Sequence, residues 1–118
     1  MTKNAGMLAR AGYSVAGLRT AWRGERSFRD HVMLSAVLFA AMAVLRPEAW
    51  WWAAIGLAVA CGWAFEAMNA AIEALCDRLH PDRDPAIGRA KDMASAAAFT
   101  VNCATIALAL GMAASAVA

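Results

Sequence analysis

After Asp92 the chain carries no charged residue over its next 26 positions. A bilayer crossing takes about 17–25 apolar residues, so this stretch alone admits a membrane span. The remaining charges are gathered rather than scattered. Lys3, Arg10, Arg19, Arg23, Arg26 and Arg29 stand with Glu25 and Asp30, and Arg78, Arg83, Arg89 and Lys91 stand with Asp77, Asp82, Asp84 and Asp92. Only Arg46, Glu48, Glu66 and Glu73 lie between the two groups. Two more apolar stretches result, His31 to Leu45 and Ala49 to Cys76. The first is short for a span. It lengthens if Phe28 begins the helix, Arg46 reaches for the interface and Trp50–Trp52 mark the far side.

Composition excludes the alternatives to a membrane fold. Of 118 residues, 62% are apolar and 17% charged, against about 25% charged in soluble domains. A soluble globule of this size has too little interior for that surface, and a disordered chain would not carry it. The expected fold is therefore all-α, a single membrane domain over residues 1–118. A surface helix over 8–29 precedes spans over 30–47, 49–76 and 89–117, with a loop over 77–88. Ala, at 32 copies, suits closely packed helices. A net charge of +2 gives no footprint for nucleic acid.

Both basic clusters fall on one side of a three-span chain. The positive-inside rule makes that side cytoplasmic, with the N-terminus inside and the C-terminus outside. About 30 residues, several of them charged, precede the first apolar run, too many for the n-region of a cleaved signal peptide. Cys61, Cys76 and Cys103 sit in apolar runs without paired spacing and read as packing residues. In the N-terminal segment Val15, Leu18 and Trp22 form one stripe at helical spacing, and Arg19, Arg23 and Arg26 the neighbouring one. That pattern suits the surface of an anionic leaflet, or a positively charged flank to the first span.

The second span carries the chemistry. Glu66, Asn69, Glu73 and Asp77 fall within an arc of roughly 80° on a helix and extend about 16 Å along it. Carboxylates inside a membrane are costly, which makes a functional site the default reading. Glue between helices is the other reading. Asn69 alone would suit it, but two glutamates would not unless a cation joined them. The third span opens with Asp84-Pro85, a helix-start signal. Lys91, Ser95, Asn102 and Thr105 then share one face, with Ala98 between them, and that face can approach the acidic stripe. Carboxylates of this kind hold Mg²⁺ together with phosphates, and Lys and Arg hold phosphate oxygens. Neither G-x-x-x-x-G-K-[ST] nor G-x-G-x-x-G occurs, so a nucleotide site would be built from helix faces. A proton-coupled transporter could use the same stripe. The stripe lies toward one side and is joined by Lys91 and Asp92, which favours a surface reaction. A non-catalytic assembly subunit is the blandest possibility.

Four segments stand in order: Tyr13-Ser14-x-x-Gly17-Leu18-Arg19-x-Ala21-Trp22, Glu25-x-x-Phe28-Arg29, Glu66-x-x-Asn69-x-Ala71-Ile72-Glu73-x-x-x-Asp77-Arg78, and Gly88-Arg89-Ala90-Lys91-Asp92-Met93-x-Ser95-Ala96-Ala97. Together they resemble the bacterial integral-membrane diacylglycerol kinase family over roughly residues 8–100. The resemblance implies three transmembrane helices plus an amphipathic surface helix, assembled as a homotrimer in the bacterial cytoplasmic (inner) membrane. It implies transfer of the γ-phosphoryl group of MgATP to the hydroxyl of diacylglycerol, giving phosphatidate for phospholipid metabolism. It puts Glu66 at the catalytic base, and Glu25 and Glu73 at the Mg²⁺-binding carboxylates. Tyr13, Asp82, Arg83, Asp84, Lys91 and Asp92 stand at ATP-linked positions. Ser14, Arg19, Trp22, Phe28, Arg29, Asn69 and Ser95 stand at lipid-substrate or active-site positions. Undecaprenol is an alternative acceptor for the same site. Two positions depart from the family pattern: Gly6 stands where an Arg is usual, and His31 where an acid is frequent.

Overall fold

A computed structural model describes residues 2–118. Four helices make up the fold: α1 (Met7–Gly24), α2 (Arg26–Leu45), α3 (Ala49–Leu79) and α4 (Pro85–Val117). No strand occurs among the described residues. Helices α2, α3 and α4 are each long and apolar enough to cross a membrane, and the chain is an all-α membrane protein. Large side chains such as Leu34, Val37, Leu57, Met68, Phe99, Ile106 and Leu110 are exposed on their outer faces, as lipid-facing surface requires.

The breaks between helices have local causes. The surface helix, expected to continue to residue 29, stops at Gly24. Glu25 is extended (φ −116°, ψ 111°), and α2 begins at once at Arg26. Arg29 fastens this corner: its Nη1 donates to the carbonyls of Trp22 (2.9 Å) and Arg23 (3.2 Å). Those are carbonyls of the last turn of α1, which lack helical partners and attract a cation. At the other end of α2, Arg46 adopts the left-handed conformation (φ 51°) and its N–H closes on the Met42 carbonyl at 2.8 Å. Pro47 then forbids continuation. The loop expected over 77–88 is shorter, because α3 runs on to Leu79 and α4 starts at Pro85. Asp84 sets that start, its Oδ1 accepting from the N–H groups of Ala86 (2.8 Å) and Ile87 (3.2 Å). Pro at the first helical position removes an N–H that would have had no partner.

Helices α3 and α4 form the main antiparallel pair, and α2 packs more lightly on α3. The buried core lies toward the α2–α3 turn: Met42, Trp51, Ile55, Val59 and Met112, flanked by Leu38, Phe39, Trp63 and Leu108. Phe39 stacks on Trp52, and Trp50 on Trp51. Gly111 lets the Trp51 ring approach α4, since a β-carbon there would meet Cη2 at 3.2 Å. The molecule measures 53 × 38 × 22 Å, and its thin dimension is that of two helix layers.

Candidate active site

The polar half of the α3–α4 pair is held by two cross-helix bonds. Lys91 Nζ donates to Asp77 Oδ1 at 2.7 Å, and Asn102 Nδ2 donates to Glu66 Oε1 at 3.0 Å. The partners are eleven residues apart on each helix, about 16 Å of rise. The two helices therefore run past each other without slippage, and the same register sets Ser95 at the level of Glu73. The acidic stripe of α3 and the polar face of α4 meet as their spacing suggests. The sequence places Asn102 on that face without singling it out as a site residue. Which member of the face meets Glu66 depends on register, and packing sets the register.

Glu66, Asn69 and Glu73 are half-buried and Ser95 is exposed. Glu66, Asn69, Ser95 and Asn102 line an open hollow of about 240 Å³, with Ser27, Ala98 and Phe99 around it. A second, mostly apolar groove of about 480 Å³ adjoins it. His31, Ser35 and Thr105 line that groove with Leu34, Leu38, Val59 and Ile106, and Asn102 belongs to both hollows. Three side-chain atoms here are buried without a hydrogen-bond partner: His31 Nε2, Asn69 Oδ1 and Asn102 Oδ1. Buried polar atoms normally find partners, and these three gather where the two hollows meet.

The other candidates fall into distinct settings. Phe28 is only 3% exposed and packs edge-on against Trp63, whose Nε1 donates to Ser35 Oγ at 3.2 Å. In this arrangement the Phe28 ring packs inside the bundle. Arg29 spends its guanidinium on the end of α1. Ser14 donates to the Arg10 carbonyl of its own helix at 3.1 Å, and Tyr13, Arg19 and Trp22 are exposed on α1. Asp82, Arg83 and Asp92 are exposed. Asp84 is engaged as the α4 cap and stands 3.4 Å from His80 Nε2. The two N–H bonds, from Ile87 first and then Ala86, hold its carboxyl below the usual carboxylate range.

Glu25, in the extended corner, and Glu73 are half-buried. Neither side chain forms an ion pair or hydrogen bond among the described residues. No cluster of three or more His, Cys, Asp or Glu gathers there into a ready metal-ligand set. Two uncommitted carboxylates nevertheless match Mg²⁺, which takes one or two from protein and fills its shell with water and phosphate.

Comparison with known proteins bears on what this arrangement serves. Residues 12–113 match the family model described as prokaryotic diacylglycerol kinase. A diacylglycerol kinase of Pseudomonas aeruginosa is 39% identical over 108 residues, covering 86% of this chain and 88% of that protein. The Haemophilus influenzae diacylglycerol kinase is 32% identical over 91 residues, 77% of each chain. That of Escherichia coli K12 is 40% identical over 89 residues, 74% of this chain and 71% of the relative. A family match across most of the chain, in a protein whose membrane helices bring the quoted acidic and basic motifs face to face, settles the relationship: the chain belongs to the prokaryotic diacylglycerol kinase family.

Proposed function

We propose that this lipid kinase moves the γ-phosphoryl group of MgATP to the hydroxyl of diacylglycerol, giving phosphatidate, with Glu66 as the general base. The observation that carries the reading is Glu66 itself, a half-buried carboxylate on a membrane-spanning helix, opening on a cavity with Asn69 and Ser95. A lipid alcohol approaches such a carboxylate from the bilayer, and a nucleotide reaches the same helix at its surface end. Glu66 takes the hydroxyl proton as the oxygen attacks the γ-phosphorus, and ADP leaves. Asn69 and Ser95 hold the acceptor oxygen in line. Phosphoryl transfer depends on positioning and charge neutralisation more than on covalent chemistry.

Glu25 and Glu73 would hold Mg²⁺, which when bound neutralises the β- and γ-phosphates. Lys91 adds positive charge at the nucleotide end, its ammonium steadied by Asp77. Within the 82–84 loop, Asp84 caps α4 through its Oδ1 and Asp82 and Arg83 are exposed; these three, with Tyr13 and Asp92, would meet ATP. Arg19 and Trp22 on the surface helix face the headgroup layer, where the lipid acceptor is presented.

A homotrimer fits this reading, because a molecule two helix layers thick leaves one side of the α3 stripe open and further copies can close it. The charge asymmetry supports an orientation with residues 1–30 and 77–92 in the cytoplasm, with its ATP, and the C-terminus outside a bacterial inner membrane. Single-Cys variants on a Cys-free background test this in intact cells. An impermeant maleimide should spare a Cys placed at Arg83 and label one placed at Glu48. Labelling at Arg83 overturns the orientation.

The direct test is the purified protein in bicelles with labelled ATP, offered diacylglycerol, ceramide and undecaprenol. Label should enter diacylglycerol fastest. Preferential labelling of undecaprenol reassigns the acceptor, and labelling of none of them overturns the kinase mechanism.

A further inference from the structure

Glu66 does not stand alone in the membrane interior. A carboxylate only accepts hydrogen bonds, and the Asn102 amide nitrogen supplies one to Oε1 at 3.0 Å. No other side-chain donor among the described residues engages Glu66, so the second oxygen is left for the substrate. Asn102 comes from α4, beyond the motif segments that end at Ala97, so the contact exists only because the two helices are in register.

The amide is itself confined. Across α3 from it sits Gly62, buried between Asn102 and the ring of His31. A β-carbon at Gly62 would stand 2.7 Å from His31 Cε1 and Nε2 and 3.3 Å from Asn102 Oδ1. The first spacing is a clash, so a side chain at Gly62 would push the His31 ring away from α3 and crowd the Asn102 oxygen. Glu66 engages the nitrogen of the amide, and the bare Gly62 backbone leaves room beside its oxygen. Asn102 Oδ1 is buried with no partner. An amide held only for packing would not be sited with its oxygen unsatisfied, because an open buried acceptor is costly.

We infer that Asn102 is a positioning residue for phosphoryl transfer: it fixes the Glu66 carboxylate so that one oxygen faces the acceptor hydroxyl. This deepens the assignment of Glu66 as base and rests on it. A base held by one charge-assisted bond has a single productive orientation, while a free carboxylate rotates among several.

The test is steady-state kinetics of the full-length protein in bicelles, with diacylglycerol as acceptor. Asn102→Leu keeps the volume and deletes the donor. It should lower kcat about tenfold or more and leave KM for MgATP unchanged. Asn102→Gln retains a donor that can reach Glu66 and should recover most of the loss. Asn102→Ser, whose hydroxyl is too short, should behave like the leucine variant and serves if leucine disturbs folding. Introduced into Glu66→Gln, Asn102→Leu should cause no further loss, because the amide acts through the carboxylate. Parental kcat in Asn102→Leu, with Glu66→Gln inactive, overturns the inference and leaves the base assignment standing. So does a loss that multiplies with that of Glu66→Gln. Parental turnover in Glu66→Gln overturns the base assignment, and the inference with it.

Discussion

The two halves of the α3–α4 pair are built to opposite rules. Toward the α2–α3 turn, Met42, Ile55 and Met112 are sealed to 0–2% exposure and tryptophans stack around them. Toward the other end the same helices bring Glu66, Asn69 and Asn102 together, and Asn69 Oδ1 and Asn102 Oδ1, with His31 Nε2 from α2, are buried without a partner. Between apolar helices in lipid no hydrophobic force acts, so the sealed half holds by close packing of side chains. The polar half holds by two bonds and remains hollow. One half supplies the rigidity that lets the other keep its costly groups in place.

Substitutions in each half should therefore separate activity from stability. The largest expected effect is at Glu66. Glu66→Gln is nearly isosteric and should lose about 10²-fold or more in turnover at saturating MgATP, with helix content and assembly unchanged. Near-parental turnover would break the division of labour outright. In the sealed half, Ile55→Ala leaves a cavity in fully packed surroundings. It should cost about 2–4 kcal/mol of stability, measured by unfolding in mixed micelles, while KM and kcat of the folded fraction hold. A kinetic defect without a stability defect would show that the halves are not separable.

At the edge of the polar half, Glu25→Gln and Glu73→Gln should each shift the Mg²⁺ activation curve to higher concentration. A curve that superimposes on the parent's would remove both residues from the metal. The smallest effect lies outside the helix pair, at Asp84. Its carboxyl is held below the ordinary range, so its capping contribution is complete above that range and fades as pH falls through the lowered value. Asp84→Asn, which caps without titrating, should abolish this acid dependence. Hydrogen exchange at the Ala86 and Ile87 amides reports it. If exchange there accelerates equally with acid in both proteins, the cap is not carried by the ionised carboxylate.

The contrast between the halves also divides what could be read from the residues alone. Helix periodicity and charge clustering bring out the acidic stripe, the opposing face of α4 and the Asp84-Pro85 start, because these depend on local spacing. The corner at Glu25 is a different matter. Arg29 ends α1 by reaching back across the break to the Trp22 and Arg23 carbonyls, a tertiary act with no signature in spacing. Phe28 is similar: spacing offers it as a possible helix start, and it lies buried against Trp63, since a pattern of apolar residues does not say which neighbour a ring will meet. Asn102 is intermediate. Its face follows from period, but its pairing with Glu66 follows from register.

The row of indoles at Trp50–Trp52 has a consequence for depth. Indole rings settle at the boundary between hydrocarbon and headgroups. From Trp51, Glu66 is fifteen residues along α3 and Glu73 twenty-two, or about 22 Å and 33 Å at the helical rise. Against a hydrocarbon thickness of about 30 Å, a helix so anchored and untilted would carry Glu66 about 8 Å beneath the opposite boundary and Glu73 just beyond it. The helix is pinned at one face and measures across to the other, so bilayer thickness decides how far each carboxylate is submerged. A thicker membrane draws Glu73 under and sinks Glu66 further from the headgroups, while a thinner one lifts Glu66 toward water. Acyl-chain length in the host bilayer is thus a control on this chemistry even when the acceptor molecule is unchanged.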